Sequence, residues 1–214
     1  MQLFVSEIFY SIQGESLYAG LPCVLIRLCG CNLRCRYCDT VYAHTGGRNL
    51  SLEAIVEEVR AFGCPLVEVT GGEPLFQQDS PALVSRLLEQ DYTVLLETNG
   101  SFNISMVDSR CIKVVDMKCP GSGECEKNDY SNLDLLAGLD QLKFVITGKK
   151  DYEWAKSLLT SKWGNTLPVP VLFSPASGLL EPARLAEWIL QDRLPVRLQL
   201  QLHKILWPEA ERGV

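Results

Sequence analysis

Cys31, Cys35 and Cys38 stand at a C-x3-C-x2-C spacing in the segment Cys31-Asn32-Leu33-Arg34-Cys35-Arg36-Tyr37-Cys38. Three thiolates this close on one loop can each take one iron of a cubic [4Fe–4S] cluster, leaving the fourth iron without a protein ligand. An open iron can bind a small molecule, whereas a cluster closed by four thiolates mainly transfers electrons. Structural zinc is the alternative, with Cys29 or Cys23 as the fourth ligand. Zinc sites usually pair two C-x2–4-C knuckles, and no convincing second one is present. The chain has nine cysteines, an odd number, and Met1-Gln2-Leu3-Phe4-Val5-Ser6-Glu7 carries no export signal. Reduced thiols in a cytoplasmic protein are therefore expected. Cys111, Cys119 and Cys125 read as buried inert thiols rather than a second cluster.

Further polar groups follow short apolar runs: Thr70-Gly71-Gly72-Glu73-Pro74, Glu97-Thr98-Asn99-Gly100 and Asp116-Met117-Lys118. Arg27 lies inside the apolar run Val24-Leu25-Ile26-Arg27-Leu28. Burying a guanidinium is costly unless an anion meets it. That anion is either a ligand's or a fixed acid such as Glu15 or Glu68. His44 and His203 are too few and too scattered for imidazole catalysis, and His203 is expected to hydrogen-bond locally. The four tryptophans read as core or interface.

These groups need a scaffold that gathers strand ends. Apolar runs at Cys23–Leu28, Leu66–Val69, Tyr92–Leu96, Cys111–Val115, Leu142–Ile146, Val169–Phe173 and Val196–Leu200 read as strands. Helical spacing follows Ser51 up to Gly63, Ser80-Pro81 to about Gln90, Asp151–Leu159, and Glu181-Pro182 through Leu190. About six β–α repeats imply a parallel sheet covered by helices. Six are too few for a closed eight-fold barrel of roughly 250 residues, so a partial barrel or an open doubly wound sheet remains. Polar motifs at strand C-termini fit the active-site edge of such sheets. One α/β domain over residues 1–214 is expected. With 47% hydrophobic and 21% charged residues the composition is globular. Twenty Lys+Arg against 26 Asp+Glu give a net charge of −6, which argues against a nucleic-acid partner. The apolar runs fall far short of the roughly 20 residues of a membrane span.

Taken together, the motifs resemble the radical S-adenosylmethionine (SAM) superfamily. The cysteine spacing with an aromatic, Tyr37, before the last cysteine is its signature, and Gly71-Gly72-Glu73-Pro74, Glu97-Thr98-Asn99-Gly100 and Asp116-Met117-Lys118 match its later motifs. The resemblance implies a partial (β/α)6 barrel of mostly parallel strands. It assigns Cys31, Cys35 and Cys38 to the [4Fe–4S] cluster. Tyr37, Cys38, Asp39, Gly72, Glu73, Asp116, Met117 and Lys118 would serve SAM. SAM would chelate the open iron, and an electron from the cluster would cleave it to a 5′-deoxyadenosyl radical. Gly71 and Gly72 would let the backbone approach the ligand closely.

The segment Ile8-Phe9-Tyr10-Ser11-Ile12-Gln13-Gly14-Glu15-Ser16 resembles the F-x-S-x-Q-G-E-G opening of the 7-carboxy-7-deazaguanine synthase family. Ser16 replaces the usual glycine, a departure that a loop should tolerate. Cys38-Asp39-Thr40, Lys118-Cys119-Pro120-Gly121-Ser122-Gly123 and Gln201-Leu202-His203-Lys204-Ile205-Leu206-Trp207-Pro208 extend the match. The family resemblance implies conversion of 6-carboxy-5,6,7,8-tetrahydropterin to 7-carboxy-7-deazaguanine with loss of ammonia, on the route to queuosine. It implies Mg²⁺ at Thr40 and substrate contacts at Ile12, Gln13, Gly14, Arg27, Thr70 and Val214, whose carboxylate would meet the pterin's amino-pyrimidinone edge. It also implies a flavodoxin or ferredoxin as electron donor, and a homodimer, for which the helix face around Leu180–Leu190 is a candidate surface. A glycyl-radical-enzyme activase is the runner-up, although such activases lack the Gln13-Gly14-Glu15 segment and short tail as a set. A zinc-stabilised binding module is the non-enzymatic alternative.

Overall fold

The computed structural model describes residues 1–164, 166–210 and 212–214. In chain order the elements are β1 (Gln2–Ile12), β2 (Pro22–Leu28), β3 (Arg48–Ser51), α1 (Leu52–Ala61), β4 (Leu66–Gly71), α2 (Ser80–Leu88), β5 (Thr93–Thr98), β6 (Ile112–Asp116), α3 (Asn132–Leu135), β7 (Gln141–Ile146), α4 (Lys149–Trp163), β8 (Val171–Pro175), α5 (Pro182–Asp192), β9 (Arg197–Leu198) and α6 (Leu202–Leu206). One sheet runs β3-β1-β2-β4-β5-β6-β7-β8-β9. β1 pairs antiparallel with β2 and β3, while every pairing from β2 to β9 is parallel. β3 and β9 are its open edges, so the barrel is partial. Among the described residues no helix is long and apolar enough to cross a membrane.

The continuous apolar runs become strands buried on both faces, as parallel strands under helices must be. Ser51 caps α1 by accepting the Ala54 amide, and Leu52, Ile55, Val56 and Val59 turn inward at helical spacing. β8 starts at Val171, later than expected, because Pro168 and Pro170 cannot donate to a ladder. The two-residue alternation of strands then puts the exceptions to apolarity on the barrel's inner face. These are Arg27 on β2, Glu68 and Thr70 on β4, Glu97 on β5, Asp116 on β6 and Lys143 on β7, all at one cavity.

Three expectations need correction. The β–α repeat is incomplete, because β5 and β6 are joined by a single 3-10 turn and β6 and β7 by two such turns and the four-residue α3. The buried Asn132 organises this region instead: its amide donates to the Gly100 and Phe102 carbonyls and accepts from the Ile104 N–H. β1 and β3 add two strands that no apolar run announced. A register shift between Val5 and Glu7 interrupts the alternation of β1. The last strand is only Arg197–Leu198, since the chain leaves the sheet at Gln199, whose carbonyl accepts from the Ser174 hydroxyl, and heads for α6.

Candidate active site

A cavity of about 600 Å³ opens at the C-terminal ends of the parallel strands. Cys31, Cys35 and Cys38 line one wall, on the loop that follows β2. The loop is tied to the turn after β4: the Gly72 amide donates to Leu28 O (3.2 Å) and the Glu73 amide to Gly30 O (2.8 Å). The glycines serve this contact. A Cβ at Gly71, whose φ is +155°, would strike the Leu28 backbone, and one at Gly72 would strike Gly30 and Cys31. The close approach is therefore to the protein's own cysteine loop, not only to a ligand as the sequence suggested. Among the described residues no three Cys, His, Asp or Glu side chains converge tightly enough for a single metal ion. A cubane asks for less, since each thiolate takes its own iron.

Two residues assigned to SAM do not reach the cavity. Glu73 is 0% exposed, and its carboxylate accepts from the Leu75 amide (2.9 Å), the Thr98 hydroxyl (2.8 Å) and the Asn99 amide (2.6 Å). Burial pushes this carboxyl up to about 7 even so. Its work is to hold the turn and the end of β5 together, which leaves the Asn99 side chain 3.8 Å from the Cys31 sulfur. Met117 is core, its side chain turned out of the barrel between Asp116 and Lys118. The other six, Tyr37, Cys38, Asp39, Gly72, Asp116 and Lys118, line the cavity. Lys118 Nζ donates to Asp116 Oδ2 at 2.8 Å. Asp116 Oδ1 and Tyr37 Oη are buried without a hydrogen-bond partner among the described residues. Such orphaned groups ask for a polar ligand, and one carrying an amine and hydroxyls, as SAM does, fits them.

On the opposite side the cavity runs into the barrel. Ile12, Gln13, Gly14, Arg27, Thr70 and Val214 all line it. The Gln13 amide is already used, since its oxygen accepts the Glu15 N–H and its nitrogen donates to Glu68. Arg27 has a fixed acid, but it is Glu7 (2.9 Å), not Glu15 or Glu68. Glu15 and Glu97 instead flank the Lys143 ammonium, with Asp116 4.0 Å from it. Burial alone would raise Glu97, but Lys143 holds it below the ordinary carboxyl range. Among the described residues no cation pairs with Glu68. Burial, and then the Glu97 charge, push it up to about 8.

Because an unfolded glutamate ionises near 4.5, the unfolded chain loses this proton first as pH rises. Glu68 therefore costs stability progressively between about pH 4.5 and 8. Glu68→Gln keeps an acceptor for Gln13 and removes the titration. The expected result is a smaller fall in the urea midpoint from pH 5 to pH 8 than in the parent chain. An equal fall in both would show that Glu68 ionises normally.

The tail forms the cavity's outer strap. The Leu202 amide donates to Gly14 O (3.0 Å), Gln201 Nε2 to Glu15 Oε1 (2.8 Å), and Lys204 pairs with Asp39 (2.5 Å). His203 packs on Gly14, where any Cβ would collide with the ring. Both histidines line the cavity, and His44 Nε2 lies 3.7 Å from the Cys38 sulfur. Lys143 and Tyr42 also line the cavity, although no motif contains them, and Glu97 does so from the strand-end motif Glu97-Thr98-Asn99-Gly100. Lys143 stands within an apolar run as Arg27 does, which is the signal that could have found it. Ser16, where glycine is usual, sits at φ +64°. The strain of that conformation is eased by the Tyr18 amide, which donates to its hydroxyl at 3.1 Å.

Comparison with known proteins agrees with this geometry. Residues 25–117 match the family model described as the radical SAM superfamily. A 7-carboxy-7-deazaguanine synthase of Chlorobaculum tepidum is 47% identical over 99% of this chain and 97% of its own. That of Koribacter versatilis is 41% identical over 98% and 99%. The crystal structure of QueE from Escherichia coli superposes with a TM-score of 0.74 at 22% identity, covering 94% of each chain, a likeness of fold. The chain therefore belongs to the 7-carboxy-7-deazaguanine synthase family of radical SAM enzymes.

Proposed function

We propose that the chain, as one domain over residues 1–214, converts 6-carboxy-5,6,7,8-tetrahydropterin to 7-carboxy-7-deazaguanine with release of ammonia, using a [4Fe–4S] cluster, SAM and Mg²⁺. The observation that carries this reading is that one cavity joins three thiols on its outer wall to a charged barrel interior on its inner side. Its volume lies in the ordinary range for ligand pockets. A charged lumen floored by Gln13-Gly14-Glu15 and strapped by the tail suits a small polar heterocycle better than the backbone of a protein substrate.

When bound, the cluster and SAM supply a one-electron cleavage that yields a carbon radical able to take a hydrogen atom from the pterin. The chain's residues bind, orient and exclude water. Asp116, Lys118 and Tyr37 hold SAM beside the cysteine loop. Arg27 offers its terminal N–H pair to the substrate carboxylate. Glu68, Glu97 and Glu15 accept the N–H groups of the amino-pyrimidinone, with Thr70, Gly14, Ile12 and Val214 closing around it. Tail residues Gln201–Lys204 keep solvent out. The exposed Arg34 and Arg36 on the cysteine loop give an otherwise acidic chain a cationic face for an acidic one-electron carrier such as flavodoxin or ferredoxin. The exposed Leu179 and Leu190 beside and on α5 fit a homodimer contact. Nine free cysteines suit a reducing cytoplasm.

The direct test is anaerobic incubation of the reconstituted protein with SAM, dithionite and the carboxylated tetrahydropterin. Formation of the deazaguanine acid and one equivalent of ammonia is expected. SAM cleavage without either product would overturn the substrate assignment. The Mg²⁺ assignment has its own test. Thr40 lines the cavity and its hydroxyl lies 3.8 Å from the Cys38 sulfur, so an oxygen is available to a hard cation that keeps several waters. Thr40→Val removes that oxygen at nearly constant volume. The expected outcome is a weaker rate response to added Mg²⁺ with iron content and SAM affinity retained. An unchanged response excludes Thr40 as a ligand.

A further inference from the structure

Glu7 belongs to none of the motifs that carry the family resemblance, and its place depends on a defect in β1. The register shift between Val5 and Glu7 sets Glu7 directly opposite Arg27 on β2. Without it, Glu7 would follow Leu3 and Val5 onto the face that is fully buried in the core. Bulges of this kind re-aim side chains next to functional sites. One oxygen of Glu7, Oε1, accepts both Arg27 Nε at 2.9 Å and the Tyr42 hydroxyl at 2.8 Å. The Phe9 and Tyr42 rings flank the guanidinium, with centroids 5.9 and 6.0 Å from Cζ. Among the described residues the terminal nitrogens of Arg27 make no hydrogen bond to protein, and Arg27 and Tyr42 both line the cavity. Tyr42 sits in the 3-10 turn Val41–His44, immediately after Thr40.

We propose that Glu7 is the positioning residue for Arg27. It holds one edge of the guanidinium fork and so presents the other edge to a carboxylate of the ligand. A guanidinium is a planar fork, and its grip on a carboxylate depends on orientation as well as charge. The shared Tyr42 hydroxyl ties that orientation to the loop carrying Cys38 and Thr40. The ligand's carboxylate is thereby set at a fixed place relative to the cluster. This inference rests on the reading of Arg27 as the carboxylate-binding residue in the proposed function. The competing role is bare charge compensation for a half-buried arginine.

Glu7→Gln separates the two roles, because the amide oxygen still accepts from Arg27 and Tyr42 while the charge is gone. Glu7→Ala removes both. KM, kcat and competitive binding of the carboxylated pterin against unsubstituted tetrahydropterin are measured on the reconstituted holoenzyme, with iron content and SAM binding as controls for folding. Glu7→Ala is expected to raise KM for the carboxylated pterin roughly tenfold or more, the scale of one lost charge-assisted contact. The change in kcat should be smaller, and the preference for the carboxylated compound should be lost. Glu7→Gln should retain most of that preference. Equal losses in the two variants would make Glu7 a charge compensator and overturn the proposal. Arg27→Ala tells this failure from that of the underlying reading. If Arg27→Ala abolishes the preference while both Glu7 variants keep it, Arg27 binds the carboxylate and Glu7 does not position it. If Arg27→Ala keeps the preference, the reading of Arg27 fails and the inference falls with it. Should Glu7→Ala not fold, the Glu7→Gln result decides alone.

Discussion

Alanine at any one of Cys31, Cys35 or Cys38 is expected to reduce SAM cleavage to the detection limit, while Cys29→Ala retains iron and activity. The three thiols line the cavity, and Cys35 lies close enough to the other two to feel their charge. Removing one leaves an iron corner without its anchoring thiolate. Cys29 is different. It is buried at the end of β2 and packs against Gly47, where the sulfur leaves no room for a Cβ. It faces away from the cavity wall and should serve as a small apolar filler. Iron content and the broad cluster absorbance near roughly 400 nm are the measurements. Loss of iron from Cys29→Ala as complete as from Cys35→Ala would mean a fourth thiolate ligand and no open iron. A colourless, zinc-loaded protein would remove radical chemistry altogether.

Much of the scaffold could be read from the chain because it follows local rules. Ser51 before a helical apolar period and Pro81 and Pro182 at helix starts are short-range signals. Apolar runs marked the parallel strands β2 and β4 to β8. β1 was hidden because its bulge breaks the alternation by which a strand is recognised. The missing helix between β5 and β6 was hidden because one buried asparagine, Asn132, supplies the hydrogen bonds that a helix would satisfy internally.

The site divides along the same line. The cysteines stand at a spacing that is legible by itself, and Gly72 and Asp116 stand in short strand-end motifs that the family resemblance brings forward. The contacts that shape the inner cavity join distant parts of the chain: Gln201 meets Glu15 186 residues away, Lys143 meets Glu97, and Tyr42 meets Glu7. No window of sequence contains such pairs. Charge in an apolar run was the one local clue, and it applies to Lys143 as much as to Arg27. Glu73 shows the limit of a motif: its place after β4 is legible, but not that its carboxylate accepts from the Leu75 and Asn99 amides.

Lys143→Met is expected to be the most destabilising single change in the barrel. The ammonium is 4% exposed and pairs with Glu15 and Glu97, with Asp116 at 4.0 Å. Methionine fills the volume but strips Glu15 and Glu97 of the ammonium they share, while Asp116 keeps only Lys118. Removing one partner from a buried ion pair costs about 3–5 kcal/mol, a large fraction of the roughly 5–15 kcal/mol that holds a typical domain together. The loss should depend on pH, and the sign follows from the carboxylates. With Lys143 present, Glu97 is held below the ordinary carboxyl range and stabilises the fold above it. Without Lys143, burial and like charges raise it, so the folded state resists ionisation. The deficit of the variant should be largest at pH 7–8 and shrink as pH falls toward the carboxyl range. Glu97→Gln in the Lys143→Met background removes one of the stranded charges and should recover part of the urea midpoint at pH 7.5. The same Gln substitution in the parent chain should lower it, because it deprives Lys143 of a partner. This reversal of sign is what a buried charge hub requires. A Glu97→Gln effect that is the same in both backgrounds would mean that Lys143 and Glu97 do not interact, and that the inner cavity owes its stability to packing instead.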